Sequence, residues 1–491
     1  MTQRMNVQAV ILVVVIFVPS PHAWAADDSS IQEVLARIKA MEAKIAAQDA
    51  EIGELKGQLK QIDSSAAQKV SAESQVDKTL AKAPEYAVVH DPKLHPRPLT
   101  IGGYLDVSYQ YNLNKPNSLT TLPPPFGQNN TLLVDRSNHL RVFDTDSNGF
   151  DVHLAEIYVD GTAQEKGQAG FRIDLGFGLD TNVFSAVDNN PPDPTRRYDI
   201  VQAYADYIAP LGNGVRVKLG KFTSPCGYEE IQAKDNWNAS RSYIFGFGTP
   251  ITHTGAGAEY AINDKWNVKA YIVNGWDNIQ DQNDAKTCMF QFGYTPNKWV
   301  TWTGTMMAGD KKPRSTDTPP AGVIARIGTV PFQAGGSASN PRMLANTNVV
   351  FTPWSKWSFA LDSIYGFEGN AVVEGLPGTP RKQNAVWYAA AGYVKYDFMK
   401  DYYLALRGEY FADRDGARTA AVLGGGPQRL TSLTTTLSRA FGPAAEIRFE
   451  YRHDQSTAEP FGGTLSINPR TSNYFDRDSQ DTLMLQWLYK F

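Results

Sequence analysis

The 491-residue chain has only two cysteines, Cys226 and Cys288, and their surroundings form no metal motif. Basic residues are not in excess. Lys and Arg number 47 against 51 Asp and Glu, a net charge of −4 with histidine neutral, which argues against the basic stripe of a nucleic-acid binder. Long apolar runs are also missing. Beyond the first 26 residues no stretch approaches 18 apolar positions, and the mean hydropathy is −0.36, so a bundle of membrane-spanning helices is excluded. Histidine is scarce too, with seven in the chain.

The extreme N-terminus is apolar but short. Arg4 precedes the run Ala9–Val18, and Ala23-Trp24-Ala25 offers a small-x-small cleavage site. Residues 1–25 therefore read as a secretory signal peptide, too short to span a bilayer as a helix. An exported chain without helical spans is periplasmic, extracellular or an outer-membrane barrel. In such a compartment a disulfide is permitted, but the expectation is two unpaired thiols. Cys288 would point outward on a strand beside Phe290 and Phe292, and Cys226 would lie in a loop.

Residues 26–62 read as a periplasmic coiled coil, with a heptad pattern over residues 30–62. Ile31, Ile38, Ile45, Ile52 and Leu59 occupy one core position, and Val34, Met41, Gln48, Leu55 and Ile62 the other. Sustained period 3.5 argues for a coiled coil. Isoleucine fills four of the five first positions and the second position is mixed; β-branched residues at both shift the preference toward three strands while Leu55 pulls the other way, so the heptads favour a trimer slightly. A homotrimer through residues 31–62 is the expectation. Residues 63–98, with Pro84, Pro92, Pro96 and Pro98, read as a linker.

From residue 99 to 491 the period is two. In Phe171–Asp180, Phe171, Ile173, Leu175, Phe177 and Leu179 share one face, and Arg172, Asp174, Gly176, Gly178 and Asp180 the other. A soluble sandwich would produce the same alternation, so the turns decide. Asp264-Lys265-Trp266, Asn297-Lys298-Trp299 and Ser355-Lys356-Trp357, with Lys400-Asp401-Tyr402 as a looser copy, each place an aromatic at the opening of a strand. Tight turns followed by Trp or Tyr suit a membrane interface. Aromatics are abundant throughout, with 23 Tyr, 23 Phe and 10 Trp.

Sixteen strands are expected at 99–112, 148–161, 168–180, 198–209, 214–224, 253–261, 265–275, 285–295, 299–309, 342–353, 356–366, 384–398, 402–413, 429–441, 445–455 and 480–491. Their connections alternate long and short, as in bacterial barrels with short periplasmic turns and long external loops. An even count places both termini in the periplasm. The fold class is thus an all-β transmembrane barrel of about sixteen antiparallel strands, preceded by an α-helical coiled coil. The final strand alternates Leu483, Leu485, Trp487, Tyr489 and Phe491, which resembles the C-terminal signal read by the barrel-assembly machinery. The expected surroundings are outer-membrane lipid, with the N-terminal segment in the periplasm.

The segment Gly220-Lys-Phe-Thr-Ser-Pro-Cys-Gly-Tyr-Glu-Glu-Ile231, continuing through Asp235–Ser242 and Thr252–Gly255 to Val273–Asn278, and the opening strand Gly102–Tyr109 resemble the outer-membrane β-barrel porin family described as porin-2, or OmpL-like. The resemblance covers the chain from about residue 99, with Cys226 standing where a non-cysteine residue is expected. It implies a porin and no particular solute.

A sixteen-strand barrel is too wide for its side chains to fill. Alternation puts Arg172, Arg216, Lys218, Lys269, Arg407, Arg448 and Arg452 on the inner face, with Asp174, Asp206, Glu409, Glu446 and Glu450. Their near balance predicts weak ion selectivity. The loop 225–252, bearing Glu229, Glu230, Lys234, Asp235 and Arg241, is the candidate constriction. The expected function is passive diffusion of small hydrophilic solutes, with no cofactor and no nucleic-acid partner. Two other function classes fit the sequence less well. A barrel lipase or protease needs a nucleophile cluster, and His139, His153 and His253 sit in no nucleophile motif. A structural tether, with the coiled coil reaching toward the cell wall, predicts a closed barrel. Residues 26–98 cannot supply the folded plug of an energised transporter.

Overall fold

Strands with one apolar and one polar face, joined in sequence by alternating short and long connections, close on themselves when no edge can be left unpaired in lipid. In the computed structural model they do so. It describes residues 99–116, 138–181, 197–279, 285–310, 341–373, 381–419, 427–462 and 475–491, with the single positions 39, 183 and 281. The chain divides into two units, residues 1–89 and 90–491, and the description concerns the second. The signal peptide, coiled coil and linker expected at 1–25, 26–62 and 63–98 lie outside the described residues.

The strands are β1 (Thr100–Asn112), β2 (Gly149–Asp160), β3 (Ala169–Phe177), β4 (Tyr198–Ala209), β5 (Val215–Thr223), β6 (Thr252–Ala261), β7 (Trp266–Val273) and β8 (Thr287–Asn297). They continue as β9 (Val300–Asp310), β10 (Pro341–Trp354), β11 (Trp357–Val373), β12 (Arg381–Met399), β13 (Tyr402–Asp413), β14 (Gln428–Phe441) and β15 (Ala445–Ser456). A small hairpin of β16 (Phe461–Gly462) and β17 (Phe475–Arg477) precedes β18 (Ser479–Lys490). Strands β1–β15 and β18 form one closed barrel of nearest neighbours, with β1 against β18. That seam is antiparallel, from Tyr104 opposite Lys490 to Asn112 opposite Thr482. The backbone of Phe491 extends it, donating to Gly103 O at 3.1 Å and accepting from Gly103 N at 3.0 Å. Gly103 has to be glycine for this closure, because a Cβ there would stand 2.2 Å from Glu156 O and 2.6 Å from the Phe491 ring.

The expected sixteen strands are all present, with two differences at the outer ends. A register shift between Glu368 and Ala371 lets the β11–β12 ladder run on to Val373 opposite Arg381, so strand takes up both ends of the loop expected at 367–383. The loop expected at 456–479 carries the β16–β17 hairpin.

The apolar face of each strand points outward. On β18, Leu485, Trp487 and Tyr489 are exposed while Gln480, Thr482, Met484, Gln486 and Leu488 are buried. An outward apolar band with a polar interior is the transmembrane-barrel pattern. Among the described residues no helix is long and apolar enough to cross a membrane, and the strands make the crossing. At the short-turn rim, Asn263 Oδ1 accepts from the backbone N–H of Lys265 and Trp266, both at 2.9 Å, and Asn297 Oδ1 from Trp299 N at 2.9 Å. These are Asx turns that open the strands at Trp266 and Trp299. Trp266 stacks on Tyr294 at 4.1 Å and Trp357 on Tyr396 at 4.3 Å between centroids, an aromatic girdle at that rim. Cys226 and Cys288 are both free, Cys226 buried and Cys288 exposed.

Candidate functional site: the loop inside the barrel and the wall it faces

The inner face of β12 presents Ala385, Trp387, Ala389, Ala391 and Tyr393, all buried. Its outer face, with Val386, Tyr388 and Ala390, is apolar as well. An apolar inner wall in a wide barrel needs a cover, and the connection from β5 to β6, residues 224–251, supplies it. Ile231, Tyr243, Ile244, Phe245 and Phe247 from this loop join Phe411, Ile364, Trp387 and Leu430 of the wall in one buried cluster. The Trp387 indole lies over Gly366, where a Cβ would come within 2.0 Å of the ring, and donates to Gly248 O at 3.2 Å.

The loop has little regular structure, a 3-10 turn at Ala233–Asp235 and a π turn at Ile244–Gly248. Its backbone polar groups therefore need partners elsewhere, and inward side chains of the wall provide them. Glu450 accepts from Ala239 N at 2.6 Å and Ser240 N at 3.0 Å, and Glu409 from Tyr243 N at 2.6 Å. Arg407 donates to Ser240 O at 2.6 Å, Arg452 to Arg241 O at 2.6 Å and Arg448 to Ala233 O at 2.9 Å. Glu229 of the loop accepts from its own Ser242 N at 2.7 Å and pairs with Arg407 at 2.8 Å. Gln232 reaches across to Glu156 on β2 at 2.9 Å, and Gly227 N donates to Asn346 on β10 at 3.1 Å. The loop thus crosses the barrel interior and is fixed on both sides.

Beneath it runs a chain of alternating charges. Arg407 also approaches Glu409 at 3.6 Å, Arg452 bridges Glu409 at 3.3 Å and Asp454 at 2.7 Å, and Arg141 pairs with Asp454 at 2.7 Å and with Asp144. Arg407 and Glu409 are fully buried. This corrects the expectation that Arg407, Glu409, Arg448 and Arg452 line a wet pore. They point inward, as the alternation requires, but the loop covers them, and so are Glu229 and Arg241 buried. Their charges are used to hold backbone, which needs dry, paired groups.

Glu230 and Asp235 are exposed on the loop and Lys234 is half-buried, as are Arg172, Arg216 and Lys218 on β3 and β5. On this wall Arg172 pairs with Asp160 at 3.0 Å and Asp174 at 2.8 Å, Arg216 with Asp206, and Lys218 with Glu259 at 2.9 Å. Arg172 also lies over the Tyr158 ring at 4.9 Å and Lys218 over Tyr204 at 4.7 Å. On the loop, Lys234 pairs with Asp235 at 2.6 Å. Charged, partly solvated groups from the loop edge and from β3–β7 thus share the interior that the loop leaves uncovered.

Loop groups missed in the sequence complete the anchoring. Asp277 accepts from Ile251 N at 2.5 Å and Thr252 N at 2.8 Å, and burial pushes its carboxyl up to about 6. Arg418 donates to Phe247 O at 2.6 Å, and burial, then the neighbouring Arg342, lowers it to about 10. Their partners are distant in sequence, so no local pattern marks them, although Asp277 lies in the segment that carried the family resemblance.

Glu230 titrates near neutrality. Crowding by surrounding protein, then the negative charge of Asp235, raises it to about 7, against Lys269, Lys234 and Arg241, which pull it down. Below that pH the loop edge loses a negative charge. The anion share of any current is expected to rise between about pH 8 and about pH 5.5, read as a shift of reversal potential. Glu230→Gln should abolish the shift, and an equal shift in that variant would assign the titration to another group.

A profile of the family described as "Putative beta-barrel porin-2, OmpL-like" matches residues 98–491. No curated protein matches the chain. Similar solved structures include the outer membrane channel DcaP of Acinetobacter baumannii, at 10% identity and TM-score 0.47, covering 80% of this chain and 97% of that one. OmpF of Salmonella typhi, solved with daunomycin, is 11% identical with TM-score 0.49, over 80% of this chain and 97% of its own. OmpT of Vibrio cholerae, in a trimer form, is 12% identical with TM-score 0.47, over 80% and 99%. The family profile spans the whole barrel, from residue 98 to Phe491, and by it this chain belongs to the porin-2, OmpL-like family of outer-membrane β-barrel porins.

Proposed function

We propose that the protein is a diffusion channel for small hydrophilic solutes, narrowed by the loop 225–252. The observation that carries this reading is the loop itself. It is pinned across the interior of a sixteen-strand barrel by the buried Arg407–Glu229 pair and by charged side chains bonded to its backbone, yet leaves Glu230, Lys234 and Asp235 at least partly exposed, as are Arg172, Arg216 and Lys218 on the inner wall. Opposed charges at a narrowing sort solutes by charge and size. Conductance of the purified protein in a planar bilayer is the test.

A catalytic role is not part of this reading. His139 bonds to Pro460 O at 2.8 Å, and His253 to Gly275 O at 3.0 Å and Ser224 Oγ at 3.1 Å. His153 lies between Ser108 Oγ at 2.7 Å and Asp180 Oδ1 at 3.3 Å. That order resembles a nucleophile relay, but all three residues are buried and the Gln110 amide lies 3.2 Å from the ring and 3.4 Å from the hydroxyl. The set supports polar packing of the β1–β2 wall.

We further propose that residues 31–62 trimerise the protein in the periplasm and that the last strand, ending at Phe491, is the handle for the barrel-assembly machinery. A three-stranded coil of this segment would be about 50 Å long. Deleting residues 27–62 is expected to reduce the oligomer to monomers in mild detergent while each barrel stays folded, measured by native mass. A full-length protein that is already monomeric or dimeric would assign the heptads to another partner.

A further inference from the structure

The connection from β1 to β2 also turns inward. Its described end, residues 138–147, is closed on itself by Asn138 N donating to Thr145 O at 2.6 Å, and residues 138–144 are all buried. The polar side of this segment is bonded to the wall. Arg141 donates to Asp454 on β15 at 2.7 Å and to Thr482 on β18 at 3.0 Å, Asn138 donates to Gln110 on β1 at 3.0 Å, and Gln480 on β18 donates to His139 O at 2.8 Å. The apolar side lies on the β5–β6 loop. Leu140, Val142 and Phe143 share one buried cluster with Ile244, Phe245 and Phe247 of that loop. The Phe143 and Phe245 rings are 5.6 Å apart, and the Arg241 guanidinium lies over Phe143 at 5.3 Å. Gly246 has no side chain where Val142 packs, and a Cβ there would come within 2.4 Å of Val142 Cγ2.

The lumen is asymmetric as a result. Asn112, Arg452, Asp454 and Thr482, on β1, β15 and β18, are buried and bonded to one or other of the two segments, whereas Arg172, Tyr204, Arg216, Lys218, Glu259 and Lys269 on β3–β7 stay half-exposed. We infer that residues 138–147 are a second constricting element, positioned by Arg141, and that the two segments together confine solutes to the β3–β7 side of the lumen. This rests on the channel reading and locates its passage. Lifting either segment would expose Leu140, Val142, Phe143 and Phe245 to the water of the lumen, at a cost proportional to the apolar area uncovered, so each holds the other. Arg141 is the strong tie to the wall because it is charged, dry and shared between Asp454 and Asp144. Asp454 keeps Arg452 at 2.7 Å and Gln480 at 3.0 Å when Arg141 is lost, so the wall retains bonds of its own.

Single-channel conductance of the full chain is the test, with heat-modifiable migration as the check that the barrel is folded. Arg141→Met should show frequent steps to a level about 1.5- to two-fold higher, as the segment lifts and the lumen widens. A covalent link separates positioning from a general loss of stability. The Cβ built on Gly246 stands 3.4 Å from Val142 Cβ, close to the separation of roughly 3.5–4.5 Å across a disulfide. Val142→Cys with Gly246→Cys, in a chain carrying Cys226→Ser and Cys288→Ser, should therefore cross-link on oxidation. Added to Arg141→Met, the oxidised link should remove the higher level, and reduction should bring it back. In the same cysteine-free background a water-soluble thiol reagent should reduce the current through Lys218→Cys and leave that through Thr434→Cys, a buried position on β14, unchanged. A folded Arg141→Met channel with the steady conductance of the unaltered protein overturns the inference, as does a cysteine pair that stays reduced under oxidant or a link that leaves the higher level in place. Equal block at both positions, or block at Thr434→Cys alone, overturns the placement of the passage. An unaltered protein that passes no current would instead overturn the channel reading.

Discussion

Replacing residues 228–248 by a short Gly-Ser connection is expected to raise single-channel conductance about two- to three-fold, since a sixteen-strand barrel without an internal loop leaves a wide aqueous lumen. The barrel should survive the change. Its closure runs through the β1–β18 seam and the neighbouring ladders, and β5 pairs with β6 from Val215 opposite Tyr260 to Thr223 opposite Thr252 without help from the loop. The deletion does uncover Trp387, Phe411 and Ile364 on the inner wall, so lower thermal stability should accompany the larger conductance. A folded deletion variant with unchanged conductance would mean that the narrowest point lies elsewhere.

The second large effect is expected at Arg407. Arg407→Met removes the counter-ion of Glu229 and one of those of Glu409, both buried, and the donor to Ser240 O. Breaking a buried pair by deleting one partner costs about 3–5 kcal/mol, because the remaining charge is left without compensation. That penalty falls on the loop, which should detach before the barrel unfolds. Current records should show frequent steps to a higher conductance level, and the thermal transition should fall by several degrees. Lys234→Met, which breaks the partly exposed pair with Asp235, should cost about 0–1 kcal/mol and leave the record quiet. Equal behaviour of the two variants would contradict the anchoring assigned to Arg407.

Much of the architecture is legible because lipid imposes period two so strictly. On β15, Glu446, Arg448, Glu450 and Arg452 can only point inward, since each would be costly on the lipid face, and the tight turns with their tryptophans fix which rim is which. The use made of those inward charges is less legible. Alternation reports the face a side chain occupies and says nothing about what later covers it, so Arg448 and Glu450 read the same as Lys218. One local signal does exist. Ala385-Val-Trp-Tyr-Ala-Ala-Ala391 is apolar on both faces, which in a barrel with a polar interior calls for a cover. The partners of that cover, such as Glu229 with Arg407 or Asn238 with Thr436 at 2.8 Å, lie more than 170 residues apart and leave no spacing to read.

Conductance of the purified full-length protein in a planar bilayer, followed by its reversal potential in a KCl gradient, tests the central claim most directly. Discrete, ohmic steps with a modest preference between K+ and Cl− are the predicted result, since charges of both signs face the uncovered interior and most are paired. Protein that is folded as a barrel by heat-modifiable migration, inserts into the bilayer and yet remains silent across several salts would contradict it.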